Sequence, residues 1–196
     1  MTKSMTDPNG FFGESITATY NESAAYLFDP AVVDPAVDFL VELARDGRAL
    51  ELGAFSVAYL VRNTIMNLTT REAQVACFRN TAAHLEPGGC FVIEVLVPGL
   101  QRLPPGQTIQ DFHLSETNWG LDEYDVATQG LISHHFTFLD GRITRWSVPF
   151  RYAWPAELDL MAQLAGMGLR ERWSGWKREP FTSDSREHVS VWQKPE

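Results

Sequence analysis

The sequence is poor in the features that mark secreted, membrane and nucleic-acid-binding proteins. Among its 196 residues only Cys77 and Cys90 are cysteine, and neither belongs to a C-x-x-C or other metal-ligand spacing. Two isolated cysteines favour a reducing compartment, in which they pack as small buried hydrophobes. Residues 1–20 contain no uninterrupted apolar core and no cleavage-site pattern, so we expect a cytoplasmic location.

Long apolar runs and positive charge are also scarce. No run approaches the roughly 18–20 apolar residues that a membrane helix needs. The formal net charge is −9 at pH 7, and such an acidic chain is a poor partner for a phosphate backbone or an anionic membrane. A hydrophobic content of 44% over this length predicts one domain, residues 1–196, with a single core.

The first third of the chain predicts helices alternating with strands. Residues 18–26 predict a short helix that acts as a lid. The pair Asp34-Pro35 predicts the start of a helix that ends at Asp46-Gly47, with Val37, Leu40, Val41 and Ala44 on its inward face. Two short apolar strands, residues 48–53 and 54–61, then follow one another almost directly.

Residues 55–97 predict a strand–helix–strand crossover unit. A capping-box spacing from Thr69 to Glu72 opens a predicted helix over residues 69–86. Its buried stripe is expected to contain Val75, Phe78, Ala82 and Leu85. The apolar run over residues 90–97 is typical of a strand buried on both faces of a parallel sheet.

The region around 108–150 changes to the alternating pattern of antiparallel strands. Asp140-Gly141 is typical of a type I′ turn that joins residues 131–139 to 142–150. With those two residues as the loop, the predicted cross-strand partners are His134 and Ser147, His135 and Trp146, and Phe138 and Ile143. The two histidines then lie on opposite faces, which excludes joint metal ligation, and His135 beside Trp146 indicates a packing pair.

The last part predicts a helix that begins at Pro155 and two closing strands. Strands are expected over residues 169–173 and 188–194. The helical stripe is expected to contain Leu160, Met161, Leu164 and Met167.

Several of these segments resemble the class I S-adenosylmethionine-dependent methyltransferases of the small bacterial type, including sugar N-methyltransferases. The similar segments are Glu51-Leu52-Gly53 at a strand end, the turn 85–89 before an apolar strand, the Tyr20-Asn21 pair and the closing helix and strands. The resemblance implies an α/β fold with a Rossmann-like, mostly parallel sheet and helices on both faces. The antiparallel region around 108–150 would then cover the substrate or mediate dimerisation.

The resemblance also implies a reaction and its residues. S-adenosylmethionine would donate a methyl group to a nitrogen or oxygen nucleophile of a small molecule, in an enzyme that forms a homodimer. The cofactor-binding residues would be Glu51, Gly53, Val61, Arg62 and Asn63, and the catalytic residues would be Tyr20 and His134. Arg62 and Asn63 also fit a solvated turn, and Tyr20 also fits a cover for a core edge. Glu94 within an apolar strand requires a partner or a place beside the substrate.

The connection at Gly53-Ala54 departs from the family. Members continue with a glycine-rich loop, a helix and two further strands, a stretch of roughly 50 residues. Parallel neighbours need a crossover of about a dozen residues or more, which two residues do not supply. Either a segment is missing between these residues, or residues 50–61 form an unusual hairpin or one long strand, or a deletion has removed the cofactor half. The first interpretation predicts Cα atoms further apart than the roughly 3.8 Å of a trans peptide.

Two other classes of function are consistent with the same residues. The first is a non-catalytic small-molecule-binding or dimerisation protein on a methyltransferase-like fold that has lost its cofactor site. The second is a small-molecule cyclase or isomerase that uses the pocket without a methyl donor. Cofactor binding is expected only if the segment after Gly53 exists.

Overall fold

The computed structural model of the chain describes residues 29–44 and 55–196. The predictions for Tyr20, for residues 18–26 and 48–53 and for the spacing of Gly53 and Ala54 lie outside these ranges, and so does the predicted helix end at Asp46-Gly47. The described residues form three α-helices, eight strands and two 3-10 helices. The helices are α1 (Pro30–Ala44), α2 (Arg71–His84) and α3 (Pro155–Leu164), and the 3-10 helices are Thr64–Asn67 and Gly99–Arg102. The strands are β1 (Phe55–Leu60), β2 (Leu85–Leu96), β3 (Ile109–Leu114), β4 (Asn118–Asp125), β5 (Gly130–Leu139), β6 (Arg142–Arg151), β7 (Gly168–Trp173) and β8 (Glu187–Gln193).

Helix α1, taken by itself, begins earlier than the sequence predicted. Asp29 caps it: its carboxylate accepts the backbone N–H of Ala31 at 2.8 Å, and Pro30 occupies the first position. The pair Asp29-Pro30 carries the same signal as Asp34-Pro35, and Pro35 lies inside the helix. Val37 and Val41 are exposed, so the predicted inward face was wrong for these two residues.

Four strands form what we call the mixed sheet, in the order β1-β2-β8-β7. Strands β1 and β2 are parallel, with Val57 opposite Cys90 and Leu60 opposite Ile93. Strand β8 runs antiparallel to both β2 and β7. The α/β class is confirmed, and among the described strands of this sheet only the β1–β2 pair is parallel.

Helix α2 connects the two parallel strands, as predicted. Thr70, one residue after the predicted cap, accepts the N–H of Ala73 through its side chain at 3.1 Å. Phe78 and Ala82 are buried on α2, Leu85 is buried where β2 begins, and Val75 is only half-buried. The buried stripe also contains Gln74, a polar residue that the apolar pattern did not predict.

The main core lies between the mixed sheet and helices α2 and α3. Phe78 packs edge-on against Phe91 and Trp192, with ring centroids 5.1 and 5.3 Å apart. Leu158, Met161 and Ala162 are the buried residues of α3. The predicted α3 stripe was wrong for Leu160 and Leu164, which are exposed because Leu158 and Ala162 turn the buried face away from them.

A chain of polar contacts ties α3 to strands β7 and β8. Asp159 on α3 binds the Arg172 guanidinium through both oxygens, at 2.6 and 3.2 Å, and accepts the Trp192 indole N–H at 2.9 Å. Ser190 bridges Arg172 and the fully buried His188. Among the described atoms His188 Nε2 has no hydrogen-bond partner, and burial followed by the charge of Arg172 lowers the pKa of His188 to about 3.

The remaining strands form what we call the antiparallel sheet, in the order β3-β4-β5-β6. Its β5–β6 hairpin turns at Asp140-Gly141, both with positive φ, as a type I′ turn requires. The predicted register is confirmed at all three pairs: His134 with Ser147, His135 with Trp146 and Phe138 with Ile143.

A buried ion pair joins the antiparallel sheet to the helices. Arg151, at the end of β6, lies 2.6 Å from the Glu157 carboxylate of α3, and their side chains are 5% and 22% exposed. The same guanidinium donates to the side-chain oxygens of Gln74 and Gln129. Gln74 donates in turn to the backbone carbonyls of Arg151 and Ile65, so most of the polar atoms at this junction are paired.

Candidate functional site

The carboxyl ends of β1 and β2 lie side by side because the two strands are parallel. This is the edge at which open α/β sheets place their ligands. Val61, Arg62 and Asn63 follow β1 here, and Glu94 lies near the end of β2. We call this group, together with Trp176 and Glu187, the carboxyl edge.

Two consecutive residues after β1 adopt left-handed backbone conformations. The φ angles of Arg62 and Asn63 are 54° and 62°, a region that non-glycine residues seldom occupy. The neighbouring strand holds this turn: the Asn63 N–H donates to the Glu94 carbonyl at 3.2 Å, and the Asn63 side-chain oxygen accepts the Leu96 N–H at 2.8 Å. The turn is therefore pinned to β2, and such unusual backbone conformations tend to cluster at functional sites.

Glu94 has the partners that its apolar surroundings require. One carboxylate oxygen accepts the Arg62 N–H at 2.8 Å, and the other accepts the indole N–H of Trp176 at 2.8 Å. Trp176 lies in the polar loop between β7 and β8. The Glu94 side chain thus joins the turn after β1 to Trp176, which lies 82 residues after Glu94 in the sequence.

Nearby negative charge acts on Glu187 at this edge. Glu187 lies opposite Leu96 at the start of β8. Its pKa is raised, first by burial and then by the negative charges of Glu94 and Glu179. A positively charged group placed among them would relieve this repulsion.

His134 lies in a second polar cluster, on the antiparallel sheet. The side chain is buried, with Nε2 lying 3.0 Å from a Glu123 carboxylate oxygen and Nδ1 lying 2.8 Å from the Ser147 hydroxyl. The Arg145 guanidinium also lies 3.0 Å from Nδ1. Because a guanidinium only donates, Nδ1 accepts and Nε2 carries the proton toward Glu123.

His135 faces the other side of the sheet and packs against aromatic rings, as predicted. Its ring stacks on Trp146 with parallel planes and centroids 3.7 Å apart, and Phe112 meets it edge-on at 5.3 Å. Burial, followed by the charge of His134, lowers the pKa of His135 to about 4. This histidine is a neutral packing residue at neutral pH.

The structure brings some of the predicted site residues together and separates others. Val61, Arg62 and Asn63 form one turn beside Glu94. His134 lies on the other sheet, and its hydrogen bonds among the described residues go to Glu123, Arg145 and Ser147. Glu51, Gly53 and Tyr20 lie outside the described ranges.

Sequence patterns missed the contribution of the loop between β7 and β8. Trp176 and Glu187 join the carboxyl edge from more than 80 residues away, and no local spacing connects them to Glu94. The one signal in the sequence was a tryptophan in an otherwise polar segment.

Within the described ranges, helices are too short or too polar to cross a membrane.

Comparison with known proteins finds similarity to methyltransferases. The chain is 27% identical over 173 residues to the cypemycin N-terminal methyltransferase of Streptomyces sp, a match that spans 82% of the chain and 71% of that protein. It is 38% identical to the CcbJ methyltransferase of Streptomyces caelestis, with a TM-score of 0.66 over 76% of the chain and 61% of CcbJ. The chain thus spans about three fifths of the CcbJ length.

A more distant neighbour shows the fold alone. An S-adenosylmethionine-dependent methyltransferase from Clostridium acetobutylicum ATCC 824 superimposes with a TM-score of 0.57 at 9% identity, over 76% of the chain and 62% of that structure. No protein-family model matches the sequence.

Proposed function

Because the chain is 38% identical to the CcbJ methyltransferase over 76% of its length, we propose that it is a class I S-adenosylmethionine-dependent methyltransferase and that it transfers a methyl group from S-adenosylmethionine to an amine nitrogen of a small molecule. The observation that favours nitrogen over oxygen lies at the carboxyl edge, where burial, followed by the negative charges of Glu94 and Glu179, raises the pKa of Glu187. Such a setting stabilises a positively charged group, and an amine acceptor and a sulfonium donor both carry one.

The donor supplies the chemical driving force when it is bound, so the protein mainly aligns donor and acceptor. We propose that Val61, Arg62 and Asn63 line the donor side, because they form the pinned turn at the carboxyl edge. Glu51 and Gly53 are proposed for the same side and Tyr20 for the acceptor side, on the family resemblance. The carboxylates at the edge fit a cationic donor.

An ammonium acceptor must lose a proton before its nitrogen can attack the methyl carbon. Two side chains are candidates to accept that proton. Glu187 lies at the carboxyl edge with a raised pKa, which makes it a stronger base than an ordinary carboxylate. His134 is the other, because Glu123 orients its ring. Substituting each by Gln and comparing the pH profiles of kcat identifies the base, since only the true base removes one limb of the profile.

Titration with S-adenosylhomocysteine by calorimetry tests the proposal directly. We expect saturable binding, and mass spectrometry of reactions with amine acceptors should show methylated product. The Glu94→Gln variant should lower kcat/KM for an amine by about tenfold or more, because it removes a charge and disturbs the turn after β1. Glu72→Gln, at an exposed position in the first turn of α2, is the matched control and should leave kcat/KM unchanged. Absence of any S-adenosylhomocysteine binding would instead favour a non-catalytic binding protein.

We also propose that the chain forms a homodimer through the face of the antiparallel sheet that carries His134. Five apolar side chains on this face are exposed, among them Leu114 at 75% and Ile143 at 65%; the others are Ile109, Ile132 and Phe138. A second copy would cover them. Sedimentation should show a dimer that Ile143→Lys dissociates, whereas Leu139→Lys on the opposite face of the same hairpin should not. The two cysteine thiols, Cys77 and Cys90, support a reducing, cytoplasmic location.

A further inference from the structure

A polar cleft lies next to the carboxyl edge. It has a volume of about 450 Å³ and lies between the 3-10 helix Gly99–Arg102 and the turn before β8. The residues lining it are Gln101, Arg102, Ser183, Asp184 and Arg186. None of them belongs to the site described above.

Hydrogen bonds hold the two walls of the cleft together. The Val97 N–H donates to the Arg186 carbonyl at 2.7 Å, immediately after β2. Gln101 and Arg102 donate from their side chains to the carbonyls of Ser183 and Asp184, at 3.4 and 3.2 Å. The cleft is therefore built by pairing between its walls.

The charge of the cleft is unusual for this chain. Arg102 and Arg186 bring two guanidinium groups against the single carboxylate of Asp184, in a protein whose net charge is −9. Arg102 uses one terminal nitrogen for the Asp184 carbonyl and keeps other donors. Across residues 29–44 and 55–196, the Arg186 guanidinium forms no hydrogen bond or ion pair. Guanidinium groups with spare donors bind planar and tetrahedral oxyanions through paired N–H bonds.

We propose that this cleft binds an anionic oxygen group, a phosphate or a carboxylate, carried by the methyl acceptor. The statement that the methyl acceptor carries this group rests on the proposed function. The statement that the cleft binds an oxyanion does not. Glu94 lies three residues before Val97, so the cleft adjoins the carboxylates at the carboxyl edge. An acceptor with an amine at one end and an acidic group at the other would match both charges.

Titration of the protein with inorganic phosphate, pyrophosphate and succinate, without any methyl donor, tests the proposal. We expect saturable binding that weakens as salt is raised. Arg186→Gln should weaken it about tenfold, while Arg142→Gln, an exposed arginine at the far hairpin, should not change it. Asp184→Asn should tighten binding severalfold because it removes the opposing negative charge. Binding of the phosphates alone identifies a phosphate group, and binding of succinate alone identifies a carboxylate.

Two outcomes would overturn the proposal: no saturable binding of any of the three anions, or equal binding by the wild type and a folded Arg186→Gln variant. Thermal melting establishes whether that variant is folded. If it is not, Asp184→Asn tests the cleft instead, because this change should tighten anion binding. A separate titration with S-adenosylhomocysteine distinguishes the two proposals. Anion binding without S-adenosylhomocysteine binding refutes the proposal of methyl transfer but not that of an oxyanion site in the cleft. S-adenosylhomocysteine binding without anion binding refutes only the proposed oxyanion site.

Discussion

The two sheets of this protein use their side chains differently. In the mixed sheet, every residue of β8 from His188 to Trp192 is buried, and so is most of β2. In the antiparallel sheet, β3 has no buried residue, and the outer half of the β5–β6 hairpin is largely exposed. The antiparallel sheet contributes to the main core only near its base, where Tyr124, Leu131 and Phe150 pack.

This difference assigns the two sheets different roles: the mixed sheet stabilises the fold, and the antiparallel sheet exposes side chains at the surface. Buried apolar area is the main source of folding free energy, so the mixed sheet and its helices should supply most of it. The antiparallel sheet exposes apolar side chains on the face that carries the buried His134, and pairing within its hairpins maintains that face. The following predictions test this division, beginning with the largest expected effect.

Truncation of one aromatic in each sheet region should give very different results. Phe78→Ala should destabilise the protein by about 3–5 kcal/mol, because Phe78 is fully buried against Phe91 and Trp192. Phe138→Ala, at an exposed position of β5, should cost well under about 1 kcal/mol. Urea unfolding measures both, and equal losses would show that the antiparallel sheet carries as much of the core as the mixed sheet.

The junction between the sheets depends on the Arg151–Glu157 ion pair. Arg151→Met should cost about 3 kcal/mol, because it removes the cation that pairs with the half-buried Glu157 carboxylate and the donor to the side-chain oxygens of Gln74 and Gln129. The double variant Arg151→Met/Glu157→Leu should be more stable than the single one, since no uncompensated charge is left. A double variant less stable than Arg151→Met would contradict this account of the junction.

Histidines in both regions should make stability fall in mild acid. The pKa of His188 is about 3 and that of His135 about 4 in the folded protein, against an ordinary 6.5. Below pH 6.5 the unfolded chain binds protons that the folded chain does not, so stability is full above that pH and is lost as pH falls toward these lower values.

His188 should contribute up to about 1.4 kcal/mol per pH unit within this window. We expect His188→Gln to flatten the dependence of unfolding free energy on pH between 6 and 4. His135→Gln should flatten it less, because solvent reaches that ring. An unchanged slope in His188→Gln would mean that His188 is protonated in the folded state.

The smallest effect concerns the tip of the hairpin. Gly141 has a φ of +73°, and a Cβ added there would meet no atom within 4 Å. Gly141→Ala should therefore cost about 1 kcal/mol from backbone conformation alone. Gly168→Ala is the matched control, with open space and no positive φ, and should be close to neutral. Thermal melting of the pair resolves the difference.

Sequence patterns predicted the antiparallel hairpin pair by pair and the mixed sheet only in part. The hairpin register follows from a two-residue turn whose chemistry is local to Asp140-Gly141. The placement of β8 beside β2 follows from contacts between distant segments, and the closing strands were predicted without their partners except through the family resemblance. The same limit hid Trp176 and Glu187 from the candidate site, whereas Val61–Asn63 followed from their place at a strand end.

Helix boundaries failed where two signals competed. Asp29-Pro30 and Asp34-Pro35 are equivalent as local patterns, and only the first caps α1. Likewise Thr69 and Thr70 both precede the helix, and Thr70 accepts the capping hydrogen bond. Local chemistry offers the candidates in such cases, and the surrounding structure selects one of them.

The pairing of β2 with β8 has a consequence for the order in which the protein is made. Cys90 pairs with Gln193, 193 − 90 = 103 residues later, while the antiparallel sheet is complete once Arg151 has been synthesised. At roughly 5–20 residues per second, β2 waits on the order of 5–20 seconds for its second neighbour. During that interval it presents an apolar, unpaired edge on the ribosome, and such edges attract other strands. We therefore expect nascent chains that stop before β8 to be the form that chaperones bind and that aggregates.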